Sequence, residues 1–130
     1  MRRGLWLSAA ILCLAGLASP ARAVTQDDFL LRNTADLVNL CSAPTTDPLA
    51  TAAVNFCEGF GLGVFRVLDE SEAAHRRRQI FCMSSSQMPT RTQAMIAFVQ
   101  WAKASPERLS MAPTDSIATY LSQQYPCPPG

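Results

Sequence analysis

The sequence contains one histidine, His75, and no C-x-x-C pair among its five cysteines. Those two shortages exclude most metal and redox chemistry, because zinc sites draw on grouped cysteines and histidines, and a thioredoxin-like centre needs a close cysteine pair. They also leave a cysteine nucleophile without support, since His75 would have to act as its base with nothing to orient it. No catalytic residue, no metal ligand and no cofactor is therefore expected, and His75 reads as an exposed residue at a helix end. Excess charge is lacking too: 11 basic and 10 acidic side chains give a net charge of +1, which offers no footprint for nucleic acid. Alternating apolar and polar runs are absent, so no strand is expected. No stretch beyond the N-terminus approaches the ~20 apolar residues of a membrane span.

What the chain does have begins with an export signal. Met1-Arg2-Arg3 is basic, Leu5 to Ala18 is apolar, and Ala21-Arg22-Ala23 places small residues where a signal peptidase reads them. Residues 1–23 are expected to be removed, with Cys13, and the mature domain is 24–130, soluble and beginning at Val24. Removal takes Arg2, Arg3 and Arg22 and leaves the acids in slight excess. This length fits one small domain.

The longest periodic stretch is Asp47 to Leu68. Ala50, Ala53, Val54, Cys57, Phe60, Gly61, Val64, Phe65 and Leu68 recur at steps of three and four, one apolar stripe along a helix. Asp47 can cap it and Pro48 suits its first position. We take it as the central helix, running on towards His75. Gly59, Gly61 and Gly63 each cost a helix about 1 kcal/mol relative to alanine, and close approach of a neighbouring backbone is the expected reason. A dinucleotide loop is excluded because it follows a strand, whereas these glycines lie inside a helical pattern.

Shorter elements flank this helix. Val24 to Asn33 has no clear period. Thr34 is expected to cap a short helix ending at Cys41, with Leu37, Val38 and Cys41 on one side. Arg76 to Arg78 is a basic run at a helix end, and Ile80-Phe81-Cys82 returns to the core. Met83 to Pro89 is a serine-rich loop. Thr90 with Gln93 forms a capping box for a helix bearing Met95, Phe98, Val99 and Ala102, with Trp101 on its flank and Ser105-Pro106 as its stop. A tight connection, Glu107 to Ala112, leads to a last helix from Pro113 with Ile117, Tyr120, Leu121 and Gln124 on one side. The expected fold is all-α, a small disulfide-stapled bundle of about four helices.

Four cysteines remain after export, an even number in an oxidising compartment, which implies two disulfides. If the last two helices form an antiparallel hairpin, Cys127 returns to the level of Cys82. Cys41 must then meet Cys57, about nine residues or ~14 Å inside the long helix, a span the loop from Ser42 to Asp47 can cover when extended. The expected pairs are Cys41–Cys57 and Cys82–Cys127.

Several runs, in order, resemble the periplasmic immunity proteins that protect bacteria from type VI secretion peptidoglycan amidases, the Rap/Tai group. They are the signal, D-L-V-N-L-C ending at Cys41, and C-E-G-F-G-L-G with Cys57, Gly59, Phe60 and Gly63 at the family's C-x-G-aromatic-x-x-G positions. F-C at Cys82, S-P-E-R-L at Ser105 to Leu109 and Y-P-C ending at Cys127 complete the set. Ser105 stands where members often have histidine, and Met83 follows Cys82 where a proline is common nearby.

The resemblance implies a non-enzymatic helical protein, commonly a homodimer, that binds an amidase effector and blocks its Cys/His cleft. Since the apolar stripes are needed for the core, the expected contacts are in two loops: Ser84, Ser85 and Ser86 in one, Glu107 and Arg108 in the other, with Arg76 to Arg78 as a rim. The alternative is a general envelope stress factor similar to the acid-stress chaperones HdeA and HdeB. Those have one disulfide, and a second one here counts against that reading.

Overall fold

The computed structural model describes residues 22–75 and 79–129. Residues 1–21 of the expected signal and the Arg76 to Arg78 run lie outside the described residues. Within them the chain is all-helical, with no strand: a 3-10 turn at Gln26–Leu30, α1 at Thr34–Cys41, α2 at Ala50–His75, a 3-10 turn at Ser85–Gln87, α3 at Arg91–Lys103, α4 at Pro106–Leu109 and α5 at Pro113–Gln124. The bundle has four longer helices, as expected, and a single-turn fifth in the connection after Ser105.

The shortest of the four is the one the others surround. In α1, Thr34, Asp36, Leu37, Val38, Leu40 and Cys41 are all buried, and the helix packs against the first 3-10 turn and against α2, α3, α4 and α5. Asn33, rather than Thr34, caps it by accepting from the Asp36 amide at 3.1 Å. Thr34 faces inward instead, donating both its amide and its hydroxyl to the Met111 carbonyl at 2.9 and 3.0 Å. That pair of bonds satisfies a buried polar side chain and ties α1 to the connection before α5.

The expectation that α2 is the central helix is corrected on this point. At 26 residues it is the longest element, roughly 38 Å at 1.5 Å per residue, but it outruns its neighbours. Only Ala53 and Cys57 of its stripe are buried, while Phe60, Val64, Phe65 and Leu68 are half-covered at the edge of the core. Its start also moves. Asp47 does hold the entry, accepting from the Leu49 amide at 2.8 Å and the Ala50 amide at 3.0 Å, but regular helix begins at Ala50, not Pro48.

Cys41 is joined to Cys57 and Cys82 to Cys127, with Cα atoms 5.3 and 4.8 Å apart. The first bridge staples α1 to α2 within the core, and the second ties the return after α2 to the end of α5. Trp101 is not on the flank of α3. It is buried beside Phe98 and Tyr120, ring centroids 6.0 and 5.7 Å away, and its Nε1–H donates to Gln123 at 2.8 Å. Phe98 and Trp101 stand three residues apart on a face that α5 covers, so packing claims a residue that the stripe alone leaves at its margin. Gln124 is exposed. Among the described residues no helix is long and apolar enough to cross a membrane.

Candidate functional site

The serine-rich loop is fixed at both ends. On one side Cys82 is bridged to Cys127 and its amide donates to the Tyr125 carbonyl at 2.7 Å. On the other, the Thr90 hydroxyl accepts from the Gln93 amide at 3.2 Å and the Gln93 side chain accepts from the Thr90 amide at 2.9 Å, opening α3. Between them Gln87 folds the loop on itself: its Oε1 accepts from the Ser84 amide at 3.1 Å and the Ser84 hydroxyl at 2.9 Å, while its own amide donates to the Ser84 carbonyl at 2.9 Å. The Ser84 and Ser86 hydroxyls are 2.9 Å apart. Ser84, Ser85 and Ser86 are all exposed, so a rigid row of hydroxyls faces outward. Ordering such a loop on binding costs little.

Behind the loop lies an apolar cavity of about 310 Å³. Met83, Met88 and Pro89 bring the loop to it, Leu62 and Phe65 come from α2, Met95 and Phe98 from α3, and Ile117, Tyr120 and Leu121 from α5. Glu58, Arg66 and Arg91 are its charged neighbours. Among the described residues neither arginine makes an ion pair, whereas Glu58 accepts from the Thr92 hydroxyl at 3.3 Å. Burial pushes the Tyr120 phenol above its ordinary value, with Tyr125 adding to the effect, so it stays neutral in this apolar setting. Sequence reasoning placed Met83 and Met88 in a loop without a role. Leu37 and Cys41 of α1 line it too, so the cavity exists only once four helices and that loop come together.

The second expected contact loop is elsewhere. Glu107 and Arg108 belong to α4, past the C-terminal end of α3, whereas Ser84 to Gln87 precede its N-terminal end, about 18 Å away along the axis of that helix. The two therefore do not form one plug. Arg108 turns inward, donating to the Trp101 carbonyl at 2.6 Å with its guanidinium 4.3 Å from the centre of the indole ring, a contact that closes the end of the core. Glu107 is exposed and accepts from the Ser105 hydroxyl. That bond, the Glu107 amide and Arg108 hold its carboxyl below the usual glutamate range.

The glycines of α2 contradict the expectation of close packing. A Cβ added at Gly59, Gly61 or Gly63 would meet nothing within 4 Å. Gly61 opens on the cavity. Gly59 and Gly63 lie with Phe56 and Val67 on an exposed face, at steps of three and four residues. Phe56 continues this surface into an aromatic row, 5.4 Å from Phe29 and 6.5 Å from Phe60 between centroids. Among the described residues nothing uses the missing side chains. The double substitution Gly59→Ala/Gly63→Ala is therefore expected to stabilise the folded monomer by about 0.4–1 kcal/mol per site, a rise in melting temperature read by thermal unfolding at concentrations where the protein is monomeric.

Among the described residues no three or more His, Cys, Asp or Glu side chains are grouped to hold a metal ion. No curated protein and no solved structure matches the chain. Residues 33–127, from the cap of α1 to the last bridged cysteine, match the family model of the Rap1a immunity proteins. That span takes in both disulfides, the glycines of α2, the serine loop and α4, and the chain belongs to the Rap1a immunity protein family.

Proposed function

We propose that the protein binds and blocks a peptidoglycan amidase effector of type VI secretion, acting in the periplasm as a non-enzymatic inhibitor. The observation that carries the reading is the family membership over residues 33–127; two disulfides are consistent with an oxidising, periplasmic location. The geometry of the site supports a mode of action. The loop Ser84 to Gln87 presents hydroxyls to the effector's cleft, and the cavity behind Met83 and Met88 receives an apolar side chain from the rim of that cleft. Burying such a side chain contributes roughly 1.5–3 kcal/mol. Glu107 adds a separate contact at the other end of α3, and Arg108 supports it from below by holding α4 on Trp101.

A homodimer belongs to the same proposal. The exposed face of α2 carrying Phe56, Gly59, Gly63 and Val67 suits a second copy, because helices approach closely where side chains are missing, and that would supply a use for the glycines that the described residues of one chain do not. The function is tested by co-expressing the protein with a periplasm-targeted amidase effector of the same strain. Rescue from lysis is the expected result; lysis at full expression of both proteins sinks the proposal.

A further inference from the structure

The junction at which export processing is expected coincides with a boundary in the structure. Arg22 and Ala23 are exposed, but Val24 is a buried member of the core. Its main-chain nitrogen donates to Asp47 Oδ2 at 2.8 Å. The other oxygen of the same carboxylate accepts from the Leu49 amide at 2.8 Å, and the Asp47 carbonyl accepts from the Ala50 amide at 3.0 Å. One aspartate thus joins the start of the folded domain to the start of α2.

We propose that cleavage after Ala23 creates an ion pair between the new α-ammonium of Val24 and Asp47, so that processing locks the N-terminus onto the head of α2. The step is a hydrolysis catalysed by a signal peptidase. Water adds across the Ala23–Val24 amide, Ala23 leaves as a carboxylate on the released segment, and the Val24 nitrogen takes up a proton. The neutral N–H donor facing Asp47 becomes a charged one at the same position, and charge-assisted bonds are roughly twice as strong as neutral ones.

The neighbouring charges support the exchange. Before cleavage the cation of this region is Arg22, whose side chain is 62% exposed and pairs with Asp28 Oδ1 at 3.3 Å. Cleavage removes it. Asp28 keeps the Thr25 amide at 2.7 Å, the Thr25 hydroxyl at 3.0 Å and Asn39 Nδ2 at 2.8 Å. Burial alone pushes the Asp28 carboxyl up, but these donors, together with Arg22, hold it below the usual aspartate range. Three of the four contacts therefore survive processing, and the new ammonium places one positive charge against Asp47.

The inference is independent of the partner and rests on cleavage after Ala23. It is tested with four oxidised proteins, beginning either at Val24 or at a retained Ala23, each with Asp47 or with Asp47→Asn, alongside intact-mass measurement of the exported full chain. Asparagine keeps the acceptor for Leu49, so the helix entry is preserved. With Asp47 in place, the protein beginning at Val24 should melt about 5 °C above the one beginning at Ala23, on the usual scale for a domain of this size; with Asp47→Asn the two should coincide. Equal midpoints with Asp47 present, or a difference that persists with asparagine, overturn the ion pair while leaving the cleavage site standing. An exported mass that starts at any other residue overturns both.

Discussion

Replacing Cys41 and Cys57 by serine is expected to cost more stability than replacing Cys82 and Cys127, although the first pair closes the shorter loop. On chain entropy alone the order is the reverse: a separation of 16 residues is worth about 3 kcal/mol and one of 45 about 4 kcal/mol. Burial inverts it. Cys41 and Cys57 are 6% and 5% exposed, between α1 and α2, so two serines there bury hydroxyls at a further cost of about 1–3 kcal/mol each unless they bond one another. Cys82 and Cys127 are half-exposed, and serine at either position reaches water. Against a total of about 5–15 kcal/mol for a domain of this kind, both losses are large. Urea unfolding of the two double variants decides the matter, and a lower midpoint for the Cys82/Cys127 variant contradicts the burial argument.

Exchanging Ser84 to Gln87 for glycine and serine residues of equal length should weaken inhibition of the effector at least about 100-fold, the scale on which the central contacts of an interface act. The exchange removes Gln87, whose side chain holds the loop closed through the Ser84 amide and hydroxyl. It thereby loosens the surface that the bridge at Cys82 and the cap at Thr90 otherwise hold. The helices should be unaffected, because no residue of Ser84 to Gln87 is buried, and circular dichroism checks this. The same exchange at Glu107 and Arg108 should behave differently: Arg108 supports Trp101, so stability falls along with binding. Unchanged inhibition by the serine-loop variant would move the interface to a helix face, with that of Gly59 and Gly63 the first to examine.

The sequence was most informative where a local signal has a local cause. Thr90 and Gln93 form their reciprocal cap whatever surrounds them, and Pro113 begins α5 because its ring suits a first helical turn. The spacing of apolar residues at steps of three and four also suffices for an all-α bundle. Depth was harder to read. The eight residues of α1 have too little length to stand out as a pattern, yet five other elements cover them; α2 has the clearest period and projects past its neighbours. Trp101 was misplaced for the same reason, since its burial depends on where α5 lies. At the site, the serine loop was visible as composition, but the cavity behind it arises from tertiary assembly. The glycines carry a visible cost without their cause, which none of the described residues supplies.

The most direct test of the proposed function is titration of a purified type VI amidase effector from the same strain with the oxidised protein, following release of peptide from peptidoglycan. Hydrolysis should fall linearly and cease near one molar equivalent of the protein, with the serine-loop variant failing to reproduce the effect. Hydrolysis that continues undiminished in a large molar excess of correctly disulfide-bonded protein would contradict the assignment of an amidase as its target.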